Sequence, residues 1–240
     1  MAKLTFSRIL LKMSGEALMR GGDAIDPVFL EQLALDVKAV RSAGVEVAIV
    51  VGGGNIFRGL AGSSKGMERS TADHMGMLAT VINSLALRSA FEQQGMDVRV
   101  LSALLMPQVC EHYTRDSAVA HLEQGRIVIF AAGTGNPFFT TDTAASLRAA
   151  EIGANCLLKA TKVDGVYTDD PVINPQAKRL DRLTYDDVWN QHLGVMDMTA
   201  ITLCRDNNIP ILVFSIFQPG ALMNVMRSEG PYTLIGGTHG

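Results

Sequence analysis

The chain has 240 residues, of which 48% are hydrophobic and 19% charged, and its formal net charge is −3. A chain of this length buries roughly 70% or more of its unfolded surface, so one core needs no disulfide or metal to hold it. We therefore expect a single domain over residues 1–240. The slightly acidic balance argues against a nucleic-acid partner, and the apolar runs are far shorter than the roughly 20 residues that span a bilayer.

Cysteine and histidine usage predicts a reduced protein without a metal of its own. Cys110, Cys156 and Cys204 are odd in number and widely scattered, which is typical of buried thiols. The five histidines include no ligand pair such as HExxH. The N-terminal segment lacks the regions of a secretion signal. We expect a cytoplasmic protein with no membrane contact, in which any Mg²⁺ is held mostly by phosphate oxygens.

Short apolar runs alternate with helical patterns along the chain. The first helix is predicted to begin with Asp26 as N-cap and Pro27 as first residue, and to stop at Gly44. A second is predicted from about Thr71 to Gln94, and a third from Thr141 to Ile152. The runs predicted as strands are, in chain order, Ile9–Leu11, Val45–Val51, Val98–Leu101, Ile127–Ala131, Cys156–Leu158 and Ile211–Phe214.

This alternation predicts an α/β fold with a mostly parallel sheet between helical layers, and with ligands at the carboxyl ends of the strands. In the second helix Met75, Leu78, Ile82 and Leu85 recur at helical spacing, and we expect its methionines to line the core. The segment Lys162–Arg182 is predicted to be one long irregular loop with a functional role.

Two glycine-containing turns follow the first two strands. In the first, Lys12 can place an ammonium group beside a phosphate and Gly15 lets the backbone approach it, although a lysine and a glycine meet by chance in many proteins. The second turn, Gly52–Asn55, precedes Arg58. The guanidinium group of Arg58 can bind a phosphate through two hydrogen bonds, or it can pair with a local carboxylate such as Glu68.

A third turn, GTGNPFFTTD at Gly133–Asp142, leads from a strand into a helix whose N-terminal amides can bind phosphate. Phe138 stands where a dinucleotide-binding motif needs a small residue, which argues against a nicotinamide or flavin enzyme. The paired phenylalanines are suited to a nucleobase. Asp142 lies in the first turn of that helix, where its charge can favour the helix dipole. Three such turns can surround two phosphorylated ligands that meet end to end, which implies phosphoryl transfer.

Five ordered blocks, with a sixth segment near the C-terminus, resemble the bacterial uridylate kinases of the amino-acid-kinase fold family. These are KMSGEAL at 12–18, GGGNIFRG at 52–59, ADHMGMLAT at 72–80, GTGNPFFTTD at 133–142, KATKVDGVYTDDP at 159–171 and DMTAITLCRDNNIPILVF at 197–214. The resemblance implies a three-layer α/β/α sandwich around the sheet. It also implies transfer of the γ-phosphoryl group of ATP to UMP, giving UDP and ADP, in pyrimidine nucleotide biosynthesis.

The resemblance also implies roles for individual residues. The catalytic residues would be Lys12, Arg58 and Asp142, with Asp142 orienting either Lys12 or a magnesium-bound water. The ATP-binding residues would be Lys12, Met13, Ser14, Gly15, Gly54, Arg58, Thr161, Tyr167 and Asp170. The UMP-binding residues would be Gly53, Asp73, Thr134, Gly135, Asn136, Pro137, Phe138, Phe139, Thr140 and Thr141.

Family members are expected to be homohexamers that GTP activates and UTP inhibits, with Mg²⁺ carried by ATP. Arg88, Arg99 and Arg126 are candidate effector contacts, with surface salt bridges as the alternative. The chain departs from the family pattern at Met19–Ala24, which lacks an aromatic residue, and at Asn155, where an acidic residue is common.

Two other functions remain open at this point. One is a kinase of the same fold acting on acetylglutamate, aspartate or carbamate, against which the paired phenylalanines argue. The other is a nucleotide-binding storage or regulatory protein without catalysis.

Overall fold

The computed structural model describes residues 4–20, 22–57, 66–191 and 193–236. The strands are β1 Arg8–Met13, β2 Glu46–Val51, β3 Val98–Ser102, β4 Glu111–His112, β5 Ile127–Ala131, β6 Cys156–Thr161, β7 Val166–Tyr167, β8 Arg179–Leu180, β9 Arg182–Leu183, β10 Ile211–Ser215 and β11 Thr233–Ile235. The α-helices are α1 Pro27–Ser42, α2 Arg69–Gln93, α3 Arg115–Glu123, α4 Thr141–Glu151, α5 Tyr185–Asn190, α6 Met198–Asp206 and α7 Ala221–Met226. A 3-10 turn, Gly15–Leu18, follows β1.

Nine strands form one sheet in the order β4-β3-β5-β2-β1-β6-β10-β11-β9. The strands pair in parallel except at β10 and β11, which are antiparallel. The sequence prediction of a mostly parallel sheet is therefore confirmed. Because β1, β2, β5 and β6 are parallel, the turns that follow them lie at one edge of the sheet, where ligands bind in open α/β folds.

Helices cover both faces of the sheet, which confirms the three-layer sandwich. Side chains of α1, α2 and α7 pack in one apolar cluster, and those of α3, α4, α5 and α6 in a second. Successive residues of β1 alternate between the two: Ile9 and Leu11 belong to the first cluster and Leu10 to the second. This period of two decides which layer each polar residue on the strand faces.

Helix starts follow the capping chemistry of the sequence. Asp26 accepts a hydrogen bond from the amide of Val28 at 3.0 Å, as predicted for the N-cap of α1. Helix α2 begins two residues before the predicted Thr71 because Glu68 caps it, accepting from the amides of Ser70 and Thr71 at 2.9 and 2.8 Å. These amides lower the pKa of Glu68 to about 2.

The core-facing side of α2 differs from the prediction at one methionine. Met77 is buried, but Met75 is 38% exposed, and Leu78 and Ile82 are each 49% exposed. The prediction that the methionines line the core is therefore wrong for Met75. Helix α2 carries apolar side chains on two faces, and periodicity alone does not show which face meets the sheet.

The segment Lys162–Arg182 is more regular than predicted. It contains an antiparallel hairpin of β7 and β8, and its last residue opens β9. Two-residue strands are too short to show an alternating pattern in the sequence, which is why the prediction of one irregular loop is wrong.

Glycines bring backbone segments together at the ligand-binding edge of the sheet. A Cβ atom on Gly15 would lie 2.7 Å from the carbonyl oxygen of Gly52, and one on Gly53 would lie 2.8 Å from that of Gly76 in α2. The turns after β1 and β2 are therefore packed against each other and against α2.

The three cysteines are buried and free, as predicted. Across the described part of the chain, no helix combines the length and apolar character needed to cross a lipid bilayer.

Candidate active site

Two lysines lie side by side at the ends of the central strands. Lys12 of β1 and Lys159 of β6 are direct partners in the parallel pairing of the two strands. Leu10 and Leu157, two residues earlier, pack in the apolar cluster on the α4 side of the sheet. Alternation along a strand therefore turns both lysines toward α4.

Asp142, in the first turn of α4, binds both lysines. Lys12 Nζ forms an ion pair with Oδ1, and Lys159 Nζ donates a hydrogen bond of 2.8 Å to Oδ2. The three side chains are mostly buried, with exposed fractions of 7% for Lys12, 13% for Lys159 and 16% for Asp142. A position near a helix N-terminus further favours the negative charge. We call these three residues the lysine–aspartate cluster.

The geometry of the cluster shifts the pKa values of Asp142 and Lys159. Burial raises the pKa of Asp142, but the charges of Lys12 and Lys159 outweigh burial and hold it below its usual value. Burial and then repulsion by Lys12 lower the pKa of Lys159 to about 8, against the attraction of Asp142. With Asp142 ionised, the two ammonium groups leave a surplus of positive charge that an anionic ligand can neutralise.

A small cavity of about 130 Å³ lies near the start of α4, with Thr140 and Thr141 in its lining. Its lining includes seven of the residues predicted to bind UMP, namely Gly53, Asp73, Thr134, Asn136, Phe139, Thr140 and Thr141. Phe57, Gly76, Met77, Thr80 and Gly133 complete the lining. Thr141 precedes Asp142 in the chain, so this cavity adjoins the cluster.

A larger cavity of about 540 Å³ includes Lys159 of the cluster in its lining. Thr161, Tyr167 and Asp170, all predicted to bind ATP, line it together with the segment Leu193–Val195. The hydroxyl of Tyr167 donates a hydrogen bond of 2.6 Å to Asp164, which raises the pKa of Tyr167. The lysine–aspartate cluster therefore adjoins two cavities, each lined by residues predicted for a different nucleotide.

The remaining predicted residues lie in three places. Gly135, Pro137 and Phe138 are outside the lining of the small cavity. Met13 is the last residue of β1, and Ser14, Gly15 and Gly54 belong to the packed turns after β1 and β2, where a Cβ on Gly15 would lie 2.8 Å from Gly54 N. Arg58 lies outside the described residues, so its predicted role stays a prediction.

The N-terminus of α4 does not offer all of its amides to a ligand. Thr140 Oγ1 accepts hydrogen bonds from the amides of Asp142 and Thr143, each at 3.1 Å. Thr140 in turn donates to Asp197, at the start of α6. The expectation of unpaired amides is therefore wrong at these two positions, because the residue that caps the helix occupies them.

The three arginines proposed as effector contacts make ion pairs on the surface. Arg99 pairs with Asp97 and Glu111, and Arg126 donates a hydrogen bond of 2.8 Å to Asp97. Arg88 lies 4.0 Å from Glu92. Surface salt bridges, the alternative stated for these residues, are thus present, and they leave an effector role untested.

Among the lining residues that motif reasoning missed are Lys159 and the segment Leu193–Val195. A charged residue within the apolar strand Cys156–Thr161 was the available signal for Lys159. The position of Leu193–Val195 depends on how the loop before α6 folds over β6, which no local pattern in the sequence specifies.

Among the residues that the structure describes, no group of three or more His, Cys, Asp or Glu side chains could hold a metal ion. Both oxygens of Asp142 face lysines. The protein groups at this site therefore fit Mg²⁺ only when nucleotide phosphates supply most of its ligands, which is how Mg²⁺ commonly binds in kinases.

Comparison with known proteins agrees with this geometry. Residues 7–215 match the model of the amino acid kinase family. The chain is 61% identical to a uridylate kinase of Magnetococcus marinus, with 95% of each chain covered, and 58% identical to that of Methylococcus capsulatus, with 95% of this chain and 96% of the relative covered. The chain belongs to the amino acid kinase family, in its uridylate kinase branch.

Solved structures agree with this uridylate kinase assignment. The UMP kinase of Bacillus anthracis superposes with a TM-score of 0.94 at 41% identity, covering 98% of this chain and 97% of that one. For the UMP kinase of Ureaplasma parvum the TM-score is 0.91 at 39% identity, covering 95% and 98%. The resemblance inferred from the sequence blocks is thereby confirmed.

The lysine–aspartate cluster should contribute to the free energy of unfolding. Asp142→Asn removes the charge that pairs two buried ammonium groups, and breaking a buried pair in this way typically costs about 3–5 kcal/mol. We expect a loss of that order in the free energy of unfolding at pH 7, measured by urea denaturation. The double variant Lys12→Met/Asp142→Asn has one buried charge fewer and should be more stable than Asp142→Asn. Equal stability of the two would contradict the assignment.

Proposed function

We propose that this uridylate kinase family member transfers the γ-phosphoryl group of ATP to UMP, giving UDP and ADP, in pyrimidine nucleotide biosynthesis. The observation that carries the proposal is the lysine–aspartate cluster adjoining two cavities, since two phosphorylated ligands can meet there. The curated relatives named uridylate kinase, which match this chain over nearly its full length, support the same reaction. The whole chain is proposed to act as one kinase domain.

The cavities are assigned to the two nucleotides by their lining. The larger cavity receives the adenosine part of ATP beside Thr161, Tyr167 and Asp170. The ATP phosphates extend toward the turn at Ser14 and Gly15, where Gly54 and Arg58 are also proposed to contribute. The smaller cavity receives UMP.

Within the small cavity, Asp73 is proposed to accept a hydrogen bond from a ribose hydroxyl. Thr134 and Asn136 contact the uracil edge, and Phe139 forms the wall against the base. Phe138 lies outside the lining, so its proposed contribution is indirect. A volume of about 130 Å³ is small for a whole nucleotide, so the phosphate of UMP is proposed to extend out of the cavity toward Lys12 and Lys159.

The chemical problem at the meeting point is repulsion between anions. The phosphate of UMP has a second pKa near about 6, so at neutral pH it is largely a dianion and needs little help from a general base. Catalysis of phosphoryl transfer is mainly positioning and electrostatic stabilisation. Lys12 and Lys159 supply positive charge at this point, and Arg58 is proposed to supply a third cation. Mg²⁺ bound to the phosphates adds further neutralising charge.

Asp142 is proposed as a positioning residue in this reaction. Its two oxygens hold the ammonium groups of Lys12 and Lys159 next to each other despite their repulsion. Of the two alternatives for Asp142, this geometry favours orientation of Lys12 over orientation of a magnesium-bound water. The lowered pKa of Asp142 keeps its carboxylate ionised at neutral pH.

The acceptor can be identified by comparing substrates. A coupled assay of ADP release with UMP, CMP, acetylglutamate, aspartate and carbamate should show the highest kcat/KM with UMP, because the cavity offers an aromatic wall and polar groups suited to a base. Preference for a small carboxylic acid would favour another kinase of this fold. Release with none of the five would favour a storage protein.

The charge state of Lys159 should make the activity depend on pH. Because its pKa is lowered to about 8, its positive charge is present below that pH and is lost above it. We expect kcat/KM for ATP to fall about tenfold per pH unit above pH 8. Lys159→Met should lose most activity and this pH dependence together, whereas Lys38→Met, an exposed lysine on α1, should retain both. A rate that is constant up to pH 10 would exclude Lys159 from this role.

Assembly and regulation form the second part of the proposal. A homohexamer activated by GTP and inhibited by UTP is proposed from the family resemblance, with Arg88, Arg99 and Arg126 as effector contacts. The exposed Met75, Leu78 and Ile82 on α2 support an interface between chains, because apolar patches on a surface mark interaction sites. The buried free cysteines support the proposed cytoplasmic location.

Light scattering tests the assembly. The wild-type protein should have the mass of a hexamer, and Leu78→Glu/Ile82→Glu should reduce it because each carboxylate would have to be buried. Val172→Glu, which changes a side chain that is 84% exposed outside α2, is the matched control and should keep the hexamer. An unchanged mass for the α2 double variant would show that this surface is not the interface.

A further inference from the structure

The loop between β5 and α4, residues 132–140, contains two strained residues. Ala132 has a φ of 62° and Phe138 a φ of 72°, both in the left-handed region. Residues with a Cβ atom adopt this region rarely, and they remain there only when surrounding contacts hold them. The loop supplies Gly133, Thr134, Asn136, Phe139 and Thr140 to the lining of the small cavity. Its shape therefore depends on what holds the two strained residues.

Helix α2 holds both of them. The amide of Ala132 donates a hydrogen bond of 2.8 Å to Thr80 Oγ1, and the amide of Phe138 donates one of 2.8 Å to Asp73 Oδ2. Asp73 and Thr80 are seven residues apart, which is about two helical turns, so they share one face of α2. A single rigid helix thus fixes the loop at both ends.

Arg69 completes the contact at Phe138. Its Nε donates a hydrogen bond of 2.8 Å to Asp73 Oδ2, the oxygen that also accepts from the Phe138 amide. Its guanidinium carbon lies 5.4 Å from the centre of the Phe138 ring, which is within range of a cation–π interaction. Arg69 therefore touches both the carboxylate and the ring, although it does not line the cavity.

Phe138 and Phe139 are adjacent in this loop, but their rings lie in different places. The ring of Phe138 lies beneath Arg69, while Phe139 lines the cavity. If the turn at Phe138 relaxed to a negative φ, the directions of both rings would change. The contact with Arg69 thus supports the arrangement in which Phe139, and not Phe138, lines the cavity.

We propose that Arg69 is a positioning residue for the acceptor nucleotide, holding Asp73 and the left-handed turn at Phe138 so that Asp73 and Phe139 face UMP. This inference rests on the proposed uridylate kinase function. Arg69 acts through Asp73 and Phe138 and makes no contact with the reacting groups. Its side chain is 36% exposed and Phe138 is 66% exposed, so removing the contact disturbs the loop and not the core.

Steady-state kinetics test this role. Arg69→Met should raise KM for UMP about tenfold, as expected for loss of a charge-assisted hydrogen bond, and lower kcat less. KM for ATP should stay within about twofold, since Arg69 lies on the acceptor side. The melting temperature should change by no more than about 2 °C, because both side chains are partly exposed. Arg205→Met, an exposed arginine on α6, is the matched control and should leave all four values unchanged.

Two further variants separate positioning from general stability. Arg69→Lys retains a donor for Asp73 but lacks the planar group over Phe138, so its KM for UMP should lie between those of the wild type and Arg69→Met. Phe138→Leu should raise the same KM. Combining it with Arg69→Met should add less than the two single effects, because both remove one shared contact.

The outcomes distinguish the inference from the function on which it rests. An active wild type whose KM for UMP is unchanged by Arg69→Met would overturn the positioning role alone. Equal rises in KM for UMP and ATP with a large fall in melting temperature would overturn it too, since they would show a structural role. Failure of the wild-type protein to form UDP would overturn the proposed function itself.

Discussion

Repulsion between two buried ammonium groups, balanced by a single carboxylate, is the constraint on which the ligand-binding edge of this protein depends. Lys12 and Lys159 come from adjacent strands, and Asp142 comes from the start of the helix that packs over them. Each residue alone would be costly to bury, because a charge in the interior needs a partner. The three together link two strands and one helix and leave a surplus of positive charge where two anionic ligands can meet.

The loops around this cluster keep their conformations in two different ways. The turns after β1 and β2 rely on glycine, because backbone atoms pack where a Cβ would collide. The β5–α4 loop instead keeps Ala132 and Phe138 in left-handed conformations, which side chains of α2 hold in place. Helix α2 therefore contacts both loops that line the small cavity, the turn after β2 and the β5–α4 loop. On its other side it presents exposed apolar side chains.

Much of the architecture could be predicted from the sequence, because apolar runs, caps and glycine turns are local signals. Lys12 and Asp142 both lay within such patterns. What the sequence could not show depends on tertiary packing. The place of Lys159 beside Lys12 becomes apparent only from the pairing of β6 with β1. Which face of α2 is buried becomes apparent only from the orientation of the helix against the sheet. Likewise, only the turn at Phe138 decides which of two adjacent phenylalanines meets the cavity.

The pairing of Lys12 with Lys159 also limits how the chain can change in evolution. Because side chains alternate along a strand, a deletion of one residue within β1 or β6 would turn an ammonium group toward the opposite helical layer, among the apolar side chains of α1 and α7. Exchanges among Ile, Leu and Val in these strands preserve that alternation. The lengths of β1 and β6 should therefore vary less among functional relatives than the identities of their apolar residues.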